Sequence, residues 1–168
     1  MIGAIIGDIA GSRFEWNNRK SKDFKLLHPD CFPTDDSVMT LAVAKALADC
    51  AGGYGNLSER AEASMRRLGR DYPDAGYGGR FYEWIFDDSM GPYNSFGNGA
   101  AMRVNPCAFA ARDLAEVQEL SHKVTAISHN HPEGLKGAEA TAVCVFLALQ
   151  GAGRAEIRRV AEQYYALT

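Results

Sequence analysis

Two adjacent acidic residues open an apolar stretch of this 168-residue chain. Asp35 and Asp36 follow Thr34 and precede a run from Val38 onward that is rich in Ala, Leu and Met. Thr34 is a favourable N-cap, so the run predicts a helix with both carboxylates in its first turn. Such acids can simply compensate the helix dipole. They also fit a site for Mg²⁺ or Mn²⁺, with Thr34, Asp35 and Asp36 as oxygen ligands, and the residues alone leave both interpretations open.

Two further acids lie earlier in the chain. Asp8 interrupts an apolar segment, residues 2–11, that predicts a helix buried on most sides. An acid in that setting must be paired, protonated or placed on a cavity wall. Glu15 lies between two aromatic residues in the irregular segment 12–25, where apolar neighbours can raise the pKa of a carboxyl group, although a solvated loop Glu is the commoner case. Glycines at every fourth position give the first helix a thin face for close packing: Gly3, Gly7 and Gly11.

A loop of small residues occupies positions 92–103. It is expected to lead directly into a helix, so that backbone N–H groups beside Ser95 and Asn98 could hold a phosphate or the edge of a sugar. The loop lacks the G-x-x-x-x-G-K-[ST] pattern and follows no predicted strand, which argues against a P-loop or a Rossmann site.

Two histidines stand at the junction of two predicted helices. His129 and His131 follow the helix predicted over residues 114–127, and Pro132 is suited to the first turn of the next one. Zinc is the less favoured interpretation, because no other His or Cys has matching spacing. A hydrogen bond that shapes a pocket is favoured instead.

Composition and charge exclude several classes of protein. Apolar residues make up 46% and charged residues 23% of the chain, as in a soluble single domain. The net charge of −3 argues against nonspecific binding to nucleic acid or anionic membranes. The four cysteines are scattered, and no signal peptide or membrane-length apolar run is evident, so we expect a cytoplasmic protein.

The helical spacing recurs along the chain, and no segment alternates like a strand. The sequence therefore predicts an all-α single domain, residues 1–168, of about eight helices. The arginines near the end of residues 57–71 are expected on a solvated face. The predicted helices include residues 2–11, 35–50, 57–71, 78–87, 114–127, 132–150 and 155–166.

Four ordered motifs together resemble the ADP-ribosylglycohydrolase family. They are Gly7-Asp8-Ile9-Ala10-Gly11 with Glu15, Thr34-Asp35-Asp36-Ser37, Ser95-Phe96-Gly97-Asn98-Gly99-Ala100-Ala101-Met102-Arg103, and His129-Asn130-His131-Pro132-Glu133-Gly134. The resemblance implies an all-α orthogonal multi-helix bundle with a binuclear Mg²⁺ or Mn²⁺ centre at the bottom of a cleft. It also implies hydrolysis of the bond between ADP-ribose and a protein side chain, a polymer unit or a small leaving group.

The resemblance also assigns roles to residues. Thr34, Asp35 and Asp36 would be metal ligands, with Asp36 and Glu15 as the catalytic acids. Glu15 would lie on a mobile loop, as an acid/base or substrate-gating residue. His129 would close the pocket wall. The diphosphate and sugar path would be lined by Ser95, Phe96, Gly97, Asn98 and Gly99.

One family motif is absent. Members carry a second acidic motif, D-x-D-[ST], but after His131 this sequence has four Glu and no Asp. We therefore expect a C-terminally truncated domain that lacks the last helices, exposes apolar surface and holds at most one divalent cation. Its partners would be an ADP-ribosylated protein or small ADP-ribosyl compound and a separate C-terminal fragment. The alternative is a catalytically incomplete remnant that acts as a weak ADP-ribose-binding or interaction module.

Overall fold

Helices account for all the regular secondary structure in residues 1–166, the part of the chain that this computed structural model describes. The all-α prediction is confirmed. None of these helices is both long and apolar enough to cross a lipid bilayer. The eight helices are α1 (Ile2–Gly11), α2 (Asp35–Asp49), α3 (Leu57–Asp71), α4 (Gly79–Phe86), α5 (Asn105–Ala110), α6 (Leu114–Thr125), α7 (Pro132–Leu149) and α8 (Arg154–Tyr164).

Helix α2 lies at the centre of the packing, against α1, α3 and α5. Its apolar run is buried, with Met39 and Val43 fully inaccessible to solvent. Met65 of α3 and Trp84 of α4 are also fully buried in the same core. Because burying a large apolar side chain stabilises the fold by about 1.5–3 kcal/mol, this core holds the first turn of α2 in a fixed place.

Helix α1 forms where it was predicted, but the expectation that it is buried on most sides is wrong. Ala10 is its only buried residue, and the side chain of Ile2 is 71% exposed. A Cβ atom added at Gly3 or Gly7 would meet no other atom within 4 Å. The thin face is therefore open, because no element of residues 1–166 packs over it.

Arg66 of α3 is another correction, since it is buried rather than solvated. Its guanidinium group donates hydrogen bonds to the carbonyl oxygens of Trp84, of Asp87 at 2.6 Å and of Met90 at 2.8 Å. The last carbonyls of a helix have no partner within the helix, and an arginine carries enough donors to satisfy several of them. Arg66 thus fastens the C-terminal end of α4 to α3.

The glycine-rich loop does not lead directly into a helix, contrary to expectation. Residues 98–103 form consecutive turns, with the Met102 amide bonded to the Asn98 carbonyl at 3.0 Å, and α5 begins at Asn105. Glycine disfavours helix, whereas Pro106 suits a first helical turn. The helix therefore starts later than predicted.

Candidate active site

Asp8 is paired, and its partners are the residues that begin α2. Its carboxylate accepts hydrogen bonds from the Thr34 amide at 2.9 Å and the Thr34 hydroxyl at 2.5 Å. It also accepts from the Ser37 amide at 3.2 Å and the Ser37 hydroxyl at 2.5 Å. The Thr34 hydroxyl in turn caps the helix by accepting from the Asp36 amide at 3.3 Å. Asp8 therefore fixes the turn that presents Asp35 and Asp36, a function that sequence reasoning did not assign to it.

A cleft of about 310 Å³ brings together Glu15, Asp35 and Asp36, which we call the acid cluster. Glu15 comes directly after a single 3₁₀ turn, Ser12–Phe14, that extends α1. Thr34 does not line the cleft. The full lining is Glu15, Asp35, Asp36, Gly76, Gly78, Gly79, Arg80, Phe81, Tyr93, Ser95, Gly97, Asn98, Gly99, Met102 and His129.

The acid cluster is crowded with negative charge. Burial, and then the nearby Asp36 and Glu15, raise the pKa of Asp35 to about 7. Burial, and then Asp8 and Glu15, also raise the pKa of Asp36. Within residues 1–166 no lysine or arginine forms an ion pair with these carboxylates. A divalent cation would relieve this repulsion and favour the ionised carboxylates.

The donor chemistry fits part of a magnesium or manganese site. Carboxylate and hydroxyl oxygens are the ligands that these hard cations prefer. In the described part of the chain, however, no three His, Cys, Asp or Glu side chains converge closely enough to hold a metal ion by themselves. Water or further protein groups would have to complete the coordination, and the assignment of Thr34, Asp35 and Asp36 as ligands stays a prediction.

The glycine-rich loop lies against the same cleft. Ser95, Gly97, Asn98 and Gly99 all line it, as expected. Phe96 does not, which corrects the expectation that it borders the cavity. Its side chain is 71% exposed, and its ring packs beside that of His131, with the ring centroids 5.2 Å apart.

His129 forms part of the cleft wall and is almost completely buried. Its Nδ1 atom lies 2.9 Å from the Ser128 hydroxyl, and the ring packs edge-on to Phe81 and Tyr93. Burial and the positive charge of Arg103 lower the pKa of His129 to about 3, so the imidazole is neutral at physiological pH.

The structure adds cleft residues that sequence reasoning missed. Gly78 and Gly79 precede or begin α4, and Arg80 follows them. The Arg80 guanidinium carbon lies 5.3 Å from the centroid of the Tyr93 ring. The signal in the sequence was the cluster of glycines at positions 76, 78 and 79, which resembles an ordinary break between helices.

Comparison with known proteins decides the family. A model of the ADP-ribosylglycohydrolase family matches residues 1–167. The chain belongs to the ADP-ribosylglycohydrolase family. The resemblance read from the four motifs is thereby confirmed.

Curated relatives of this chain include ADP-ribosylhydrolase ARH3 of Danio rerio, Mus musculus and Homo sapiens. Each is 28% identical to it. The matches cover 90% of this chain and 47% of the Danio rerio protein, and 93% of this chain and 50% of both mammalian proteins. The chain therefore spans about half the length of the curated relatives it matches.

A close contact between α7 and the glycine-rich loop shapes the cleft. A Cβ at Gly134 would lie 2.7 Å from the Ser95 carbonyl oxygen. We expect Gly134→Ala to lower the free energy of unfolding by about 1–3 kcal/mol, because backbone must move to admit the methyl group. Urea denaturation measures the change.

Gly137 provides the control on the same helix. A Cβ there would meet only the Tyr165 hydroxyl oxygen, at an ordinary 3.5 Å. Gly137→Ala should therefore stabilise the protein by about 0.5–1 kcal/mol, as alanine normally does within a helix. Equal stabilities for the two variants would contradict a special packing role for Gly134.

Proposed function

We propose that this protein acts in the metal-dependent hydrolysis of ADP-ribosyl linkages, with release of ADP-ribose. The proposal is carried by one observation: the acid cluster, the glycine-rich loop and His129 line a single cleft. Membership in the ADP-ribosylglycohydrolase family, together with the ARH3 relatives, supports hydrolysis of ADP-ribosyl compounds as the general activity.

The acid cluster has chemistry suited to cleaving a glycosidic bond. The bond at the anomeric carbon breaks through an oxocarbenium-like transition state, and a carboxyl group transfers the proton. We assign this role to Glu15, and we assign Asp36 the task of orienting the reacting groups beside it. Thr34, Asp35 and Asp36 would hold the cation. When bound, such a cation supplies electrostatic stabilisation and a more acidic water molecule.

Recognition of ADP-ribose would come from the rest of the cleft. Ser95 and Asn98 carry polar side chains, and Gly97 and Gly99 leave room for an approaching diphosphate or ribose. Arg80 is the only arginine or lysine that lines the cleft in residues 1–166. A guanidinium group forms strong charge-assisted hydrogen bonds with phosphate oxygens, so we infer that Arg80 contacts the diphosphate.

A binding role without catalysis is the second candidate. The incomplete oxygen ligand set within residues 1–166 favours it. In that case the chain would bind ADP-ribose weakly through the same cleft but release none from a substrate.

We also propose a partner, namely a polypeptide that carries the D-x-D-[ST] motif, joined to this chain or separate from it. Two open apolar surfaces support the proposal. One is the exposed face of α1 with Ile2 and Ile6. The other is a groove of about 540 Å³ between α2 and α3 that includes Leu41 and Tyr72, each about half exposed. Apolar surface of this kind marks a site of interaction.

Binding of ADP-ribose in the presence of Mn²⁺ tests the proposed function. We expect Arg80→Ala to weaken binding about tenfold, which corresponds to about 1.4 kcal/mol, because a cation facing the diphosphate is lost. Titration calorimetry measures the affinity.

Arg60→Ala is the matched control, since it removes the same charge from the exposed surface of α3. If both variants lose affinity equally, the effect reflects net charge rather than contact. If the unaltered chain binds neither Mn²⁺ nor ADP-ribose, the proposed function is wrong.

A further inference from the structure

Arg103 is a fully buried cation behind the wall of the cleft. Its Nη2 atom donates to the Ser128 hydroxyl at 2.7 Å and to the Val124 carbonyl at 3.2 Å. Its guanidinium carbon lies 5.2 Å from the centroid of the Phe81 ring. Among residues 1–166, no carboxylate forms an ion pair with it, and its Nε and Nη1 atoms have no hydrogen-bond partner. A charge kept in this position at such a cost in solvation needs a reason beyond packing.

The Ser128 hydroxyl lies between Arg103 and His129. It is 2.7 Å from Arg103 Nη2 and 2.9 Å from His129 Nδ1. Arginine has only donors, so the serine oxygen must accept from it. The serine has one proton to donate, and in the described part of the chain His129 Nδ1 is its only other partner.

His129 Nδ1 best accepts this proton, because an Nδ1–H group that donated to the serine oxygen would leave the serine proton without a partner in residues 1–166. A neutral imidazole carries its single proton on the other nitrogen when Nδ1 accepts. That nitrogen, Nε2, is next to Gly99, where an added Cβ would lie only 3.1 Å away. Both residues line the cleft, and the absence of a side chain at Gly99 leaves space beside Nε2.

We propose that Arg103 and Ser128 are positioning residues that hold His129 as the neutral tautomer protonated at Nε2. A ligand in the cleft would then meet a fixed hydrogen-bond donor, the Nε2–H group of His129, which suits an acceptor oxygen of the ribose or the diphosphate. This inference rests on the proposed function for the identity of the ligand but not for the tautomer. Arg103 would occupy one lone pair of the serine oxygen, and the need to pair the serine proton would then direct that proton to Nδ1.

Nitrogen-15 NMR of the histidine side chains tests the tautomer directly. The chain has four histidines, and the His129→Gln variant assigns the signal of His129 by removing it. We expect the proton of His129 on Nε2 and none on Nδ1 at neutral pH. A proton on Nδ1 of His129 in the unaltered protein would overturn the inference.

Ser128→Ala and Ser121→Ala form a matched pair. Both serines are buried, but the Ser121 hydroxyl has no hydrogen-bond partner within residues 1–166. Ser128→Ala should give a mixture of His129 tautomers and weaken binding of ADP-ribose roughly three- to tenfold, the effect of one hydrogen bond. Ser121→Ala should change neither. Ser128→Thr, which keeps the hydroxyl, should restore the Nε2 proton.

The two readouts separate two kinds of failure. If the unaltered chain shows the Nε2 tautomer but does not bind ADP-ribose, the proposed function fails. The positioning of His129 by Arg103 and Ser128 would still hold. If it binds ADP-ribose and Ser128→Ala alters neither tautomer nor affinity, the positioning role is wrong.

Discussion

Supplying this chain with a polypeptide that carries the D-x-D-[ST] motif is expected to raise ADP-ribose release about 10³-fold over the chain alone. The acid cluster offers only part of an oxygen coordination sphere, and hard cations require about six ligands. A loss of about 4 kcal/mol of transition-state stabilisation corresponds to this difference in rate. The second half of a family member that carries this motif, fused to the chain or added separately, would supply the acids that the family resemblance implies. Release of ADP-ribose from an ADP-ribosylated protein is the measurement.

Two controls make the result specific. A second half with the acids of its motif changed to alanine should bind but restore no activity. Asp36→Asn in the completed protein should abolish the gain, because it removes a carboxylate of the acid cluster. Full turnover by the isolated chain with two tightly bound Mn²⁺ ions would show that other residues make the site.

Asp8→Ala is expected to lower the free energy of unfolding by about 3 kcal/mol and the affinity for Mn²⁺ at least about tenfold. Asp8 does not line the cleft, but its carboxylate accepts four hydrogen bonds from Thr34 and Ser37. Without it, the first turn of α2 loses the anchor that orients Asp35 and Asp36. Urea denaturation and Mn²⁺ calorimetry measure the two effects.

Asp8→Asn separates charge from shape. Its amide oxygen can still accept, but its NH₂ group cannot, so about half of the stability loss should remain. Asp49→Ala is the surface control. It breaks only the exposed Lys45–Asp49 pair, worth less than about 1 kcal/mol, and should leave Mn²⁺ binding unchanged. An Asp8→Ala variant with unaltered Mn²⁺ affinity would refute the anchoring role.

The sequence predicted the helices well because their limits depend on local chemistry. Thr34 caps α2 through a side-chain hydrogen bond, as predicted, and Asp113 caps α6 in the same way. Pro132 begins α7 as predicted. His131 serves as the cap of α7, since its Nδ1 accepts from the Glu133 amide, and this gives it a structural task unrelated to zinc.

Burial and pairing were harder to predict because they depend on residues distant in sequence. Arg66 looked solvated, but the carbonyls it satisfies belong to residues 18 to 24 positions later. The apolar composition of α1 predicted burial, yet nothing in residues 1–166 covers its thin face. The importance of Ser128 could not be read from a lone serine, since it depends on Arg103 lying beneath it.

The attachment of α4 to α3 by Arg66 has a consequence for motion. Its hydrogen bonds hold the C-terminal end of α4, while Gly78, Gly79 and Arg80 at the other end line the cleft. The hydrogen bonds of Arg66 therefore restrict the motion of the whole helix α4, including the N-terminal end that lines this side of the cleft. On the opposing side, Glu15 leads into residues 16–34, which contain no helix. We therefore expect motion at the cleft to be one-sided: Glu15 should move relative to α4, and under the proposed function the passage of ADP-ribosyl compounds would depend on that side.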